Sequence, residues 1–199
     1  MSDEHTPFHV LAFAGSLRRH SYNRRLLDAA AAAAPAGIRL TVYDTIAQVP
    51  LFDEDLEAET HGGPDGVKQL RAAIVAADGV LISTPEYNQS LPGVLKNTLD
   101  WLSRKDAEYG EVLSGKPAAI MGATPGRWGT RVAQSQLRHA LAAMGALTMT
   151  APQLYVAEAA KASDAETGAF DAATQKRLGT FLEGFQAWMQ VLNAGLRNR

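Results

Sequence analysis

Short blocks of almost uninterrupted apolar residues alternate along this chain with longer stretches in which apolar residues recur every three or four positions. The first pattern belongs to strands buried on both faces, the second to helices that lay one face on a core. Residues 8–13, 38–43, 79–84 and 117–121 read as strands, and a fifth strand falls within 146–154. Helices are predicted over 22–34, where Pro35 and Gly37 end the pattern, over 66–77, from Pro92 to about Ser103, and over 130–144. A last helix carries Leu178, Phe181, Leu182, Phe185, Trp188, Met189 and Leu192 on one side. Strands alternating with helices imply right-handed crossovers and a parallel sheet covered on both faces. One domain over 1–199 accounts for the whole pattern, with the polar residues 1–7 expected to be flexible. Two connections, 44–63 and 157–170, exceed the usual loop length, and neither is assigned a catalytic role.

In a doubly wound sheet the parallel strands all end at one edge, and ligands bind in the crevice beyond those ends. The loops after the first, third and fourth strands are the unusual ones. In the first, Gly15-Ser16-Leu17-Arg18-Arg19-His20-Ser21-Tyr22-Asn23, an apolar run gives way to hydroxyl, amide and cationic groups where a helix begins. A helix start carries unpaired N–H groups and about +0.5 of charge, so a phosphate there would meet backbone donors, the Ser16 and Ser21 hydroxyls, the Asn23 amide and Arg18. Ordinary capping by Ser21 explains that serine but not the Ser-Leu-Arg approach to it. The loop lacks the Gly-x-x-x-x-Gly-Lys pattern of triphosphate sites and the Gly-x-Gly-x-x-Gly of dinucleotide sites, which points to a terminal monophosphate. The second loop, from Pro85 and Glu86 through Tyr87 and Asn88 to Leu91, offers an aromatic ring with amides. The third runs from Ala123 and Thr124 through Pro125, Gly126, Arg127 and Trp128 to Gly129, a thin backbone turn with a cation. Together they suit a flat, polar, phosphorylated heterocycle.

Charge and composition narrow the classes. A formal net charge of −2 and a pI near 6.2 give no general attraction to nucleic acid or anionic membrane. No apolar run approaches the ~20 residues that span a bilayer. The absence of cysteine excludes disulfides, thiolate nucleophiles and cysteine metal sites, and a cytoplasmic protein is expected. The histidines at 5, 9, 20, 61 and 139 show no ligand spacing, so no metal site is expected. His20, Ser16 and Asp28 do not read as a hydrolase triad, because Gly-x-Ser-x-Gly is missing. Trp101, on the helix after Pro92, is assigned to packing.

The ordered motifs Gly15-Ser16-Leu17-Arg18 with Ser21 and Asn23, Pro85-Glu86-Tyr87-Asn88 leading through Pro92 and Asn97 to Asp100-Trp101, and Gly126 through Arg131, Gln134 and Arg138 resemble the NADPH-dependent FMN reductase family. Thr124 stands where that family often has serine, which keeps the hydroxyl. The resemblance implies a flavodoxin-like, five-stranded sheet of order 2-1-3-4-5, one bound FMN, NADPH or NADH as co-substrate, and a homodimer or homotetramer. It places phosphate contacts on Ser16, Arg18, Ser21 and Asn23 beside Tyr22, and ring contacts on Pro85, Glu86, Tyr87 and Asn88, mostly through backbone. Thr124, Gly126 and Arg127 complete the cofactor set, the turn at 126–130 supplying positive influence near the flavin N1. The implied chemistry is ping-pong hydride transfer to FMN and then to a small acceptor such as a quinone, flavin, azo compound or chromate, with no catalytic side chain. A flavodoxin-type electron carrier is the alternative, although such carriers are usually far more acidic than this chain.

Overall fold

A computed structural model describes residues 6–197 of the chain; residues 1–5 of the leader expected to be flexible lie outside the described residues. Strands β1 (Phe8–Ala14), β2 (Ile38–Val42), β3 (Gly79–Ser83) and β4 (Pro117–Ala123) are parallel and lie in the order β2-β1-β3-β4. The fifth position is divided. Strand β5 (Leu147–Thr148) pairs with the start of β4, and β6 (Leu154–Val156) pairs with its end, Met121 opposite Leu154 and Ala123 opposite Val156. The single fifth strand expected from the sequence is thus two short pieces along one edge of β4. Pro152 falls between them, and a residue without an N–H cannot donate to a ladder. Because β6 reaches beyond Met121, β4 runs two residues further than its apolar pattern suggested.

Helices α1 (Tyr22–Ala32), α3 (Asp65–Val75), α4 (Gly93–Leu102), α5 (Arg131–Ala143) and α6 (Ala172–Arg197) cover the sheet, and a short α2 (Glu54–Glu59) sits in the long second connection. Helix α1 stops at Ala32, short of the expected 34, since Pro35 disfavours helical backbone at the residue before it. Side chains alternate across each strand, so Val10, Ala12 and Leu81 pack with Leu26 and Leu27 of α1 and Phe181 and Phe185 of α6. Leu11, Phe13, Val80 and Ile82 face the other way, onto Ile74, Leu95, Leu99 and Leu137. Five of the seven apolar α6 positions are buried, Leu178, Phe181, Leu182, Phe185 and Met189, while Trp188 donates Nε1–H to the Leu147 carbonyl at 2.9 Å. Each large side chain so buried contributes roughly 1.5–3 kcal/mol.

The connection at 44–63 is anchored rather than loose. Asn97 of α4 accepts from Phe52 N (2.7 Å) and donates to Pro50 O (2.7 Å), and the Trp101 indole donates to the same carbonyl at 2.8 Å. Trp101 is fully buried, with the Phe52 ring edge-on to it at 5.0 Å. Arg71 of α3, also fully buried, donates to Gly62 O and Trp101 O and pairs with Asp106 at 3.2 Å. Among the described residues no helix is long and apolar enough to cross a membrane.

Candidate functional site

Ser21 caps α1. Its backbone is extended (φ −71°, ψ 130°) and its hydroxyl oxygen accepts from Asn23 N at 3.2 Å. Ser16 Oγ likewise accepts from Arg18 N at 3.4 Å. A hydroxyl that accepts from the backbone still has its own O–H to donate, so both serines can serve an anion. Arg18 folds over the loop, donating to His20 O at 2.6 Å with its guanidinium 5.3 Å from the Tyr22 ring centre. It makes no ion pair among the described residues.

Asn23 is used differently from the expectation. Its side chain is buried; Nδ2 donates to Ala123 O (2.8 Å), and Oδ1 accepts from Ala123 N (2.9 Å) and Ser83 Oγ (3.1 Å). The amide clamps the start of α1 to the ends of β3 and β4, using its oxygen and one of its two N–H donors. At Gly122, next to Ala123, a Cβ would collide with Thr130 Oγ1 at the start of α5 and with Thr84 O after β3, so β4 lies tight against both.

In the second loop Pro85 is buried and Glu86 reaches sideways to α5. Glu86 Oε2 accepts from Val132 N (2.9 Å) and Ala133 N (3.0 Å), capping a helix whose own N-cap, Thr130, makes no side-chain cap bond. Those first-turn amides are therefore occupied, and the positive influence expected of this helix start is left to the backbone of the 126–130 turn. Tyr87 and Ser90 exchange both backbone bonds (3.2 and 3.0 Å) around Asn88 (φ 50°) and Gln89 (φ 57°), a two-residue turn with both central residues left-handed. Gln136 of α5 holds the turn from outside through Ser90 Oγ and Gln89 O. In the third loop Thr124 Oγ1 accepts from Gly126 N at 3.3 Å, and Arg127 stacks 4.7 Å from the ring centre of exposed Trp128.

Between the loops lies a cleft of about 250 Å³. It brings together Ser16, Arg18, Ser21, Tyr22 and Asn23 with Pro85, Glu86, Tyr87 and Thr124, and adds Ala123 and Pro125 of the third loop, which were not among the expected cofactor contacts. Asn88, Gly126 and Arg127 stand outside its lining. A larger hollow, about 450 Å³ between α1 and the 167–170 turn, lies away from these three loops. Neither Glu86 as a helix cap nor Gln136 as a turn anchor was legible beforehand, since each acts across more than forty positions.

Residues 8–183 match the profile of the family described as NADPH-dependent FMN reductase. The chain belongs to that family. A 2-hydroxy-1,4-benzoquinone reductase from a Burkholderia species is 38% identical over 181 residues, covering 91% of this chain and 96% of that protein. An NAD(P)H-dependent FMN reductase from Pseudomonas aeruginosa is 39% identical over 192 residues, 96% of this chain and 99% of that one. Among solved structures, the flavoenzyme NAD(P)H:(acceptor) oxidoreductase of Paracoccus denitrificans superposes with a TM-score of 0.81 at 33% identity, covering 92% of this chain and 97% of the other. As a family member the chain is an oxidoreductase using FMN, with NAD(P)H as co-substrate. The cleft has the donors such a cofactor needs: two hydroxyls with free protons and one arginine without an ion pair, at a helix start.

Proposed function

We propose that this reductase carries electrons from NAD(P)H to a quinone-type acceptor by a ping-pong cycle, and that the cleft between the three loops is where it holds FMN. The observation that carries the reading is the gathering of Ser16, Arg18 and Ser21 in one cleft with Pro85, Glu86 and Tyr87. When bound, FMN would supply the two-electron redox chemistry between the nucleotide and the acceptor. Ser16 and Ser21, whose oxygens accept from the backbone, would donate their O–H groups to the phosphate, and Arg18, bonded here to His20 O, would add a charge-assisted contact. The Tyr87 N–H is engaged by Ser90, so the Glu86 and Asn88 amides are the donors available toward the ring. Gly126 and Arg127, outside the cleft lining, would add positive influence from the 126–130 turn. The Glu86 carboxylate is committed to α5 and moves no proton.

One domain houses the site, and a cytoplasmic, homo-oligomeric protein is the setting proposed for it. Exposed Leu17, Leu51 and Trp128, on loops that follow β1, β2 and β4, support contact between copies at this edge. The relatives named for benzoquinone and quinone reduction support a quinone over an azo compound or chromate as acceptor. The test is the absorbance spectrum of the purified protein, then anaerobic addition of NADPH and reoxidation by a benzoquinone. Bound flavin that bleaches and returns, with parallel double-reciprocal plots, is the expected result. A protein that refuses FMN at micromolar concentration overturns the reading, and FMN binding without NADPH oxidation would leave an electron carrier in its place.

A further inference from the structure

A second cleft, about 230 Å³, adjoins the first and shares Ser16 and Arg18 with it. Its remaining charged groups are Arg19, Arg24 and Asp44, brought there by the β1 loop, the first turn of α1 and the end of β2. Arg24 and Asp44 hold each other through two bonds, one of 3.0 Å, and Arg24 Nε also bonds Asp28 at 3.1 Å, so this arginine is neutralised within the protein. Arg19 is exposed and makes no ion pair or side-chain hydrogen bond among the described residues. Tyr43, also in the wall, has a buried hydroxyl without a hydrogen-bond partner. Besides Arg18, which the flavin reading assigns to the FMN phosphate, the cleft therefore holds one further cation without an ion pair among the described residues, Arg19, beside a carboxylate whose charge is already balanced and next to a site that must receive a pyridine nucleotide.

Resting on the flavin reading above, we propose that this second cleft seats the adenosine 2′-phosphate end of NADPH, with Arg19 as the residue that selects NADPH over NADH. In dinucleotide-binding α/β folds of another type, an acidic residue reads ribose hydroxyls and a nearby arginine accommodates a 2′-phosphate, and this cleft sets the same two residue types together. Here Asp44 is positioned to accept a ribose hydroxyl and is kept from repelling phosphate by Arg24. Arg19 supplies the charge that a 2′-phosphate, at about −1.5 to −2, requires.

The test is calorimetric titration of the FMN-loaded protein with adenosine 2′,5′-bisphosphate and with adenosine 5′-monophosphate. The bisphosphate is expected to bind about tenfold more tightly, Arg19→Ala to abolish that margin, and Arg19→Lys to keep most of it. In turnover, Arg19→Ala should lower the ratio of kcat/KM for NADPH to that for NADH about tenfold. Equal affinity for the two nucleotides, a margin that survives Arg19→Ala, or displacement of FMN by the bisphosphate would each overturn the proposal. So would FAD binding more tightly than FMN in the parent protein but not in Arg19→Ala, which would assign the cleft to the flavin's own adenylate. If the protein takes no FMN, the same titration on the flavin-free protein still reads the second cleft, so the two failures are told apart.

Discussion

Single side chains at this site divide between those that face a ligand and those that hold the loops. Arg18 is of the first kind. Arg18→Ala removes one charge-assisted contact to a phosphate, a loss of roughly 1.5–3 kcal/mol that fluorescence titration would read as a ten- to hundredfold weaker FMN dissociation constant. Unchanged affinity would take Arg18 out of the site. Glu86 is of the second kind, an acid in a binding loop whose carboxylate serves the amides of Val132 and Ala133. Glu86→Ala is expected to lower stability by about 0.5–2 kcal/mol, as loss of a helix cap does, and to weaken FMN binding, with Glu86→Gln recovering part of both. Urea unfolding and flavin titration on the same samples check this; a catalytic acid would instead lose kcat with no change in stability. Asn23 shows the limit of reading residues singly, for its amide type fitted both phosphate binding and the buried clamp it forms with Ser83 and Ala123.

Among the elements, the clearest departure from the sequence pattern is the fifth strand, where the apolar residues marked the edge position but not its interruption. The long 44–63 connection was visible as a gap, and its attachment to α4 through Asn97 and Trp101 was not, because partners 45 to 51 positions apart leave no periodic trace. The same holds for Arg71, which the fold surrounds with Gly62, Trp101 and Asp106. Burial pushes the Asp106 carboxyl up, but the backbone amides of Tyr109 and Glu108 and the Arg71 guanidinium outweigh it and hold the group below its ordinary value. A carboxyl lowered in the folded state stabilises fully above its unfolded pKa of about 3.9 and loses that contribution as pH falls through the folded value. Asp106→Asn should therefore cost about 3 kcal/mol at pH 7, leaving Arg71 buried and unpaired, and the difference from the parent should shrink below about pH 4. Denaturant melts at pH 7 and pH 3.5 measure both; a pH-independent difference would show that Asp106 acts by packing alone.

For the whole molecule, the parallel sheet sets three loops side by side, and ligand binding should act on the fold as a unit. FMN at about a hundred times its dissociation constant adds about 2.7 kcal/mol to stability, a rise in Tm of roughly 5–10 °C for a domain this size. Thermal melts with FMN and with riboflavin separate the phosphate's share, which should be the larger. A Tm indifferent to both flavins would count against the cleft.

By itself the sequence determined the strand and helix alternation, the parallel sheet implied by it, and which loops carry hydroxyls, amides and cations, because periodicity and turn chemistry are local properties of a chain. Only the tertiary structure decided what each polar group does once there. The amide of Asn23 and the carboxylate of Glu86 went to the framework, the serine hydroxyls and Arg18 were left facing the cleft, and Arg19 was left uncommitted beside a paired Asp44. Hydrogen-bond partners are chosen by proximity in space, and that proximity exists only after the sheet has brought distant segments to one edge.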